Sequence, residues 1–350
     1  MHRLSLSIVP EPTKITTRHS RKAAPHNRGQ DPVHEVTSPH KRLRHQADSP
    51  TLLYHLHTLL LFTLSDLKTI LLPETLFALS TSLSGSVTQT PEHASSRSAG
   101  HTFLRLPLVL LWIYANLLPF NIKNQSQPSS LSEDALNKPW RPLPTKRISR
   151  HSAKKAMVFF YALAVVISIP LGAVVPSLTL VALGIWYNDL GGADASCVVR
   201  NLINGAGFTT FGMGATIVAN GGSSGGHLNM TAYEWLAIIF FVVVTSVQMQ
   251  DIPDQEGDRQ RGRNTVPLVI GDRLGRWSVA VPVALVSVLT PAFWRLGYAG
   301  WAVPMVVGSV VIVRLFACRT VGADKTTFRL WNLWMGVLYL LPLFRSLGSV

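Results

Sequence analysis

Residues 248–272 read QMQDIPDQEGDRQRGRNTVPLVIGD. Asp251, Asp254, Glu256 and Asp258 crowd the first half, and Arg259, Arg261 and Arg263 follow them. Directly before lies WLAIIFFVVVTSV, residues 235–247, in a chain with only 14% charged residues. Dense charge at the end of an apolar run marks the place where a membrane span meets water. Asp251, Asp254 and Asp258 are spaced i, i+3, i+7, so a continuous helix carries all three within about 60° of one another. Such carboxylates repel each other and are costly to desolvate, which calls for a cation partner. Hard oxygen ligands suit Mg2+, which takes a few carboxylates together with water and substrate phosphates. The arginines behind them can fork onto the same phosphates. The plain alternative is a solvated loop laced with i, i+4 ion pairs, and spacing alone leaves both readings open.

Working outward, 47% of the 350 residues are hydrophobic, and long apolar runs recur from about residue 51 to the C-terminus. This composition belongs to polytopic α-helical membrane proteins. The formal charge of +14 would otherwise suggest a nucleic-acid partner, but the basic residues lie between apolar segments and form no basic face. Cys197 and Cys318 are the only cysteines, too few for a disulfide framework or a cysteine zinc site. Residues 1–50 differ from the rest: nine Lys and Arg, six His, several Pro and few large apolar side chains. They read as a disordered basic tail preceding a domain at 51–350. A cytosolic tail and a mitochondrial presequence are the two readings, and four acids without amphipathic period favour the first.

Nine apolar segments are expected to span, at 67–87, 103–120, 157–169, 172–187, 202–220, 232–248, 277–293, 299–316 and 330–343. The third and fourth are parted at Ser168-Ile169-Pro170, where proline breaks the helix and predicts a tight hairpin. Residues 51–62 read as an interfacial helix. With nine spans the basic loops fall on one face. The loop after the second span carries Lys123, Lys138, Arg141, Lys146, Arg147, Arg150, Lys154 and Lys155, and Arg200 follows the fourth. Arg259, Arg261, Arg263, Arg273 and Arg276 follow the sixth, and Arg314, Arg319, Lys325 and Arg329 lie about the eighth and ninth. The positive-inside rule makes that face cytosolic, in the endoplasmic reticulum or, as the second choice, the mitochondrial inner membrane.

Two more polar clusters share this face. Residues 129–149, SSLSEDALNKPWRPLPTKRIS, hold Glu133, Asp134, Asn137, Lys138 and Arg141. Residues 187–207, YNDLGGADASCVVRNLINGAG, hold Asn188, Asp189, Asp194, Arg200, Asn201 and Asn204. A helical bundle can gather all three clusters around one mouth. Acids for metal, guanidinium and amide groups for phosphate, and an apolar cavity beneath describe a site for an amphiphile with a diphosphate head and a hydrocarbon tail.

At these residues the chain resembles the UbiA superfamily of intramembrane prenyltransferases, and most closely the fungal branch that includes UbiA-type terpene cyclases. The family's second aspartate motif, D-x-x-D-x-x-x-D followed by G-x-x-T-x-P, is matched by Asp251, Asp254, Asp258, Gly262, Thr265 and Pro267. Of its first motif, N-x-x-x-D-x-x-x-D-x-x-N-K-P-x-R-P, the second half is present as Asp134, Asn137, Lys138, Pro139, Arg141 and Pro142. Arg200-Asn201 is similar to the basic-Asn pair that opens a helix after the fourth span. The first motif departs at Ser130 and Ser126, where the pattern has Asp and Asn. Asn121 or Asn124 in a shifted register, or Glu133, can substitute.

The resemblance implies an all-α bundle around a central cavity, Mg2+, an isoprenoid diphosphate substrate and the lipid bilayer as surroundings. It implies metal ligation by Asp134, Asp251, Asp254 and Asp258, and phosphate contacts from Asn137, Lys138, Arg141, Arg200 and Asn201. Lys68, just inside the first span, reaches the diphosphate or snorkels to headgroups. Asp189 and Asp194 ligate metal or accept bonds at the start of the next helix. Trp112, Tyr114, Trp186, Tyr187, Phe208 and Phe211 line the cavity and hold a carbocation, or simply pack. The expected activity is cyclisation of farnesyl or geranylgeranyl diphosphate in terpenoid secondary metabolism. Prenyl transfer to an aromatic or other small acceptor is the alternative, and a non-catalytic membrane protein or transporter the minor one.

Overall fold

Every one of the nine apolar segments folds as a helix, and no β-strand occurs among the described residues. The structure is a computed structural model that describes residues 51–86, 99–222 and 228–348. The basic segment 1–50, for which a disordered tail was expected, lies outside the described residues. The long helices are α2 (Leu67–Ser84), α4 (Leu106–Gln125), α6 (Arg150–Ser168), α7 (Val174–Asn188), α9 (Cys197–Ala219), α10 (Met230–Ser246), α13 (Asp272–Phe293), α14 (Tyr298–Ala317) and α15 (Val321–Ser346). Between them lie α1 (Leu52–Thr63), α3 (Ala99–Leu104), α5 (Pro128–Asn137), α8 (Gly192–Ala195), α11 (Gln255–Arg261) and α12 (Val266–Ile270).

By length and apolarity alone six of these helices can cross a membrane, or seven if the pair α1 and α2, bent by 64°, is one span. The remaining two of the nine fall short for different reasons. Helix α7 has 15 residues, about 22 Å at 1.5 Å per residue, against a hydrocarbon core of about 30 Å. Helix α15 has 26 residues, but Asp324, Lys325 and Arg329 stand in its first turns. Several helices begin well before their apolar segments. Helix α6 starts at Arg150 and α15 at Val321, so the basic residues ride on helix ends and not in loops.

The starts have local causes. Ser149, Ser196, Asn229 and Thr320 each accept a hydrogen bond from the backbone N–H three residues on, capping α6, α9, α10 and α15. The break expected at Pro170 is present: α6 ends at Ser168, Gly172 turns the chain at φ 69°, and α7 begins at Val174. Helix α1, capped by Thr51, buries Thr58, Phe62 and Thr63 and leaves Leu52, Leu53, Leu56 and Leu60 exposed, the one-sided pattern of an interfacial helix.

Two packed halves meet on α2 and α9. Trp235, Trp294, Trp331, Trp334 and Tyr339 dominate the core of α10, α13, α14 and α15, with Phe77 of α2. Trp112, Ile113, Phe211 and Ala215 form a second core between α4 and α9. Gly214 lets these two helices close: a Cβ there would lie 2.1 Å from the Trp112 ring, the small-residue device of membrane helix packing. Three buried indoles find acceptors inside the bundle, Trp112 on Ser168 (2.9 Å), Trp331 on Ser246 (3.2 Å) and Trp334 on Ser287 (2.9 Å), where lipid offers none, while the indole N–H groups of Trp235 and Trp294 are buried without one among the described residues. Glu74 of α2, buried, accepts a bond from the Tyr339 hydroxyl at 3.1 Å.

Candidate active site

The acid-rich stretch is not one helix. A 3-10 turn, Val247–Gln250, follows α10, a tight turn carries residues 251–254, and only then does α11 begin. Pro253 has no N–H to continue the ladder, which is why the expected single helical face is broken. Asp254 nevertheless stacks on the turn, its N–H bonded to the Asp251 carbonyl, and Asp258 N–H bonds to the Asp254 carbonyl. All three line one cavity of about 350 Å³.

The first motif reaches the same cavity from α5. Asp134 is buried in the last turn of that helix, and Asn137, Lys138 and Arg141 follow it on the cavity wall. Asn137 lies against α11, where a Cβ on Gly257 would come within 2.2 Å of its Nδ2. The two motifs therefore interlock through a glycine.

Each buried acid is held by an arginine. Arg141 donates to Asp134 Oδ1 at 2.7 Å, Arg200 to Asp251 Oδ1 at 2.7 Å and Arg263 to Asp258 Oδ1 at 3.1 Å. In all three the other oxygen, Oδ2, is buried and accepts no hydrogen bond from the protein. Burial pushes the Asp258 carboxyl up to about 6, with the Asp251 charge adding to it and Arg200 and Arg263 opposing. Burial likewise raises Asp251 and Asp134 against the pull of Arg200 and Arg141. Lys138 is held below its ordinary value by burial and then by Arg141. Three buried carboxylate oxygens without a partner, one on each arginine-paired acid, leave the site fit for a metal. Among the described residues no group of three or more His, Cys, Asp and Glu side chains can hold a metal ion. Water and phosphate oxygens must then complete the shell, as is usual for Mg2+.

Of the other expected residues, Lys68 lines the cavity from the first turn of α2, its ammonium 5.8 Å from the Phe328 ring. Arg200 lies in the first turns of α9 and also donates to the Tyr187 hydroxyl at 2.9 Å. Asn201 is a correction. Its amide donates to the Val244 carbonyl and to Gln248, both at 3.0 Å, and it is absent from the cavity wall. One residue of helix is a rotation of about 100°, so the side chain after Arg200 faces α10. Asn204, one turn on from Arg200, lines the cavity instead, with Asn121 and Asn124 of α4. Helical spacing from Arg200 was the signal for it.

Asp189 pairs with Lys123, Asp194 with Arg261 and Arg263, and neither lines the cavity. Glu133 bonds Arg261 and Arg263, which outweigh its burial and hold its carboxyl below the usual value. Ser130 accepts from Arg261 at 2.8 Å. Tyr187, Phe208 and Phe211 line the cavity as expected, whereas Trp112 is core and Trp186 is exposed. Phe120, Phe328 and Trp331 are further wall residues that the apolar pattern did not single out.

Along α9 the wall runs Arg200, Asn204, Gly207, Phe208, Phe211, a passage from charge to hydrocarbon over about 16 Å. Fold and site together define an integral membrane protein whose helical bundle encloses an amphiphile-shaped cavity with a charged mouth. The UbiA prenyltransferase family model matches residues 79–334, and the chain belongs to that family. It is 32% identical over 185 residues to the fumagillin beta-trans-bergamotene synthase of Aspergillus fumigatus, covering 53% of this chain and 62% of that protein. To the somaliensene A/B synthase of Streptomyces somaliensis it is 28% identical over 84% of this chain and 93% of the relative. The digeranylgeranylglyceryl phosphate synthase of Natronomonas pharaonis is 27% identical over 57% of this chain and 69% of its own length. Among solved structures, a UbiA homolog from Archaeoglobus fulgidus bound to DMAPP and Mg2+ superposes with TM-score 0.58, at 14% identity, covering 84% of this chain and all of that one.

Proposed function

We propose that this protein is a Mg2+-dependent enzyme that ionises an allylic isoprenoid diphosphate and cyclises the resulting cation. The observation that carries the reading is the wall gradient: buried acids with unpartnered oxygens at one end, aromatic and aliphatic side chains at the other. Asp134, Asp251, Asp254 and Asp258 would hold Mg2+, and the UbiA homolog from Archaeoglobus fulgidus, of similar fold, has been solved with Mg2+ and DMAPP or GPP bound. When bound, the metal neutralises charge growing on the leaving diphosphate. Lys138, Arg141 and Arg200 orient the remaining phosphate oxygens, and Asn137 and Asn204 offer amides beside them. The C1–O bond breaks, its electron pair leaves with the diphosphate, and the allylic cation stays in the cavity. Tyr187, Phe208, Phe211, Phe328 and Trp331 turn π faces to that cation and keep water away. A double bond of the same chain then supplies the electrons for ring closure. The reaction ends by transfer of a proton to the released diphosphate, giving a hydrocarbon, or by addition of one water and loss of its proton, giving an alcohol. The two terpene synthase relatives favour cyclisation over transfer. The digeranylgeranylglyceryl phosphate synthases favour the second reading, in which an external acceptor captures the prenyl group. By charge distribution the mouth opens to the cytosol.

The test is incubation of membranes containing the protein with Mg2+ and farnesyl or geranylgeranyl diphosphate, without acceptor, followed by mass spectrometry. A cyclic hydrocarbon or terpene alcohol that requires Mg2+ is the expected product. A prenylated adduct formed only after an aromatic or glyceryl phosphate acceptor is supplied would replace cyclisation by transfer.

Two further results are expected. The raised carboxyl of Asp258 keeps its proton to higher pH than an ordinary aspartate, and the proton competes with Mg2+. Apparent Mg2+ affinity therefore falls as pH drops through about 6 and is flat above it. An acid limb at about 4, the ordinary aspartate value, would show that the site does not perturb this group. Separately, Gly257→Ala displaces the Asn137 side chain and is expected to lower kcat/KM by roughly 10- to 100-fold through misplacement alone. Melting temperature should change little, because the clash is with a flexible side-chain end. Unchanged kinetics would mean that the position of Asn137 is not used.

A further inference from the structure

The three arginines of the acid-rich stretch are not equivalent. Arg259 pairs with Glu256 in the open, their side chains 62% and 74% exposed, and neither residue lines the cavity. Arg261 and Arg263 both line it, and their side chains are only 4% and 8% exposed. These two guanidinium groups sit between two carboxylates from other segments. Glu133 of α5 gives one oxygen to Arg261 at 3.0 Å and the other to Arg263 at 3.3 Å. Asp194 of α8 does the same, at 3.4 and 3.2 Å. The four charges close a ring of alternating sign that joins α5, α8, the last residue of α11 and the segment after it.

The distances separate this ring from the other arginines. Arg141 and Arg200 hold Asp134 and Asp251 at 2.7 Å, within the range of strong charge-assisted bonds, about 2.7–2.9 Å. All four ring bonds are longer. Arg261 also keeps a buried Nε–H without an acceptor, and Arg263 donates through Nε to Asp194 and through Nη1 to Glu133 and Asp258. Both cations thus sit at the cavity on long carboxylate bonds, Arg261 with a donor to spare and a short bond to the Ser130 hydroxyl at 2.8 Å, and Arg263 shared among three carboxylates. Asp194, 43% exposed against 12% for Glu133, is the corner that water already solvates.

We propose that Arg261 and Arg263 are diphosphate-binding residues, aimed into the cavity by Glu133 and released towards the ligand by the loose corner at Asp194. The proposal rests on the reading of the cavity as a diphosphate site and adds to it two direct ligand contacts and two positioning residues. Glu133 is the less exposed of the two carboxylates and contacts both arginines, so it sets their direction. A phosphate oxygen offers a shorter, drier bond than the solvated Asp194 carboxylate, so the arginines exchange that partner when the ligand arrives.

The experiment measures binding of farnesyl thiodiphosphate and of inorganic pyrophosphate to the purified full chain in detergent with Mg2+, by calorimetry. The R261A/R263A variant is expected to bind both probes about 10- to 100-fold more weakly, the scale of one or two charged hydrogen bonds. The R261K/R263K variant should recover part of this loss, and it guards against a folding failure of the alanine form. E133Q should weaken binding by about 5- to 10-fold in the parent, yet add nothing in the R261A/R263A background, since a positioning residue acts only through what it positions. D194N should leave affinity unchanged or raise it. Unchanged affinity in R261A/R263A, or equal losses from E133Q in both backgrounds, overturns the proposal. A parent protein that binds neither probe overturns the diphosphate reading itself, which distinguishes the two failures.

Discussion

Replacing Asp254 and Asp258 together by asparagine is expected to cut Mg2+-dependent diphosphate release by at least about 10³-fold, the scale of losing charge stabilisation at a reacting group. The fold should survive, for reasons specific to these two positions. Asp254 makes no side-chain hydrogen bond or ion pair among the described residues, and its charge acts only at longer range, favouring the charged form of Lys138 and opposing that of Asp251. Asp258 has one partner, Arg263, which keeps Glu133 and Asp194 when Asp258 is neutralised. Asparagine preserves the shape of both side chains and removes only the charge and one potential metal oxygen. Asp251→Asn is the less clean change, because Arg200 would be left buried with only Tyr187 as a side-chain partner. The measurement is pyrophosphate release from farnesyl diphosphate with and without Mg2+, alongside a thermal melt. Release that survives in a folded double variant would remove these carboxylates from the mechanism.

The largest stability effect is expected at an ion pair that does not line the cavity. Arg276 of α13 and Asp324 of α15 form a bidentate pair, Nη1 to Oδ1 at 2.7 Å and Nη2 to Oδ2 at 2.8 Å, with side chains 3% and 4% exposed. Arg276 Nη1 also donates to the Leu315 carbonyl at the end of α14, so one guanidinium ties three helices. Asp324→Ala leaves that charge buried without its main partner and is expected to cost about 3 kcal/mol, near the lower end of the range for broken buried pairs. The lower end applies because Asp272 still accepts from Arg276 Nε at 2.9 Å. Removing both charges in R276M/D324L should restore most of the loss, since apolar side chains avoid the desolvation cost. The check is the midpoint of denaturant-induced unfolding in detergent. A single variant as stable as the parent would show that the ion pair does not hold these helices together.

Much of this architecture was legible from residue order. Every apolar segment became a helix because lipid satisfies no backbone polar group, leaving helix as the only self-contained choice for such runs. Pro170 marked its break for an equally local reason. The acids at 251, 254, 258 and 134 were recognisable because carboxylates beside greasy runs are costly without a cation. Where the reading slipped, neighbours decided. The single helical face for three aspartates was lost to Pro253, and Asn201 turned to α10 because one helical position separates a cavity wall from a helix contact. In sequence Asp194 reads as a metal ligand or a helix-start acceptor and Glu133 as a substitute carboxylate of the first motif, and only the fold brings both to Arg261 and Arg263.

The order of residues by itself determined helices, their approximate ends, the family and the inventory of acids and bases at one end of the bundle. Those properties follow from local rules: hydrophobic length, proline geometry, capping and charge cost. Tertiary structure alone decided which arginine neutralises which aspartate, that Gly257 seats Asn137, and that Phe328, Trp331 and Asn204 share a wall with Arg200. Such pairings depend on helix rotation and on contacts between segments far apart in the chain, 131 residues for Arg261 and Ser130 and 265 for Glu74 and Tyr339. A rotation of about 100° per residue converts a one-residue uncertainty into the opposite face of a helix, and nothing in the linear order records which faces meet.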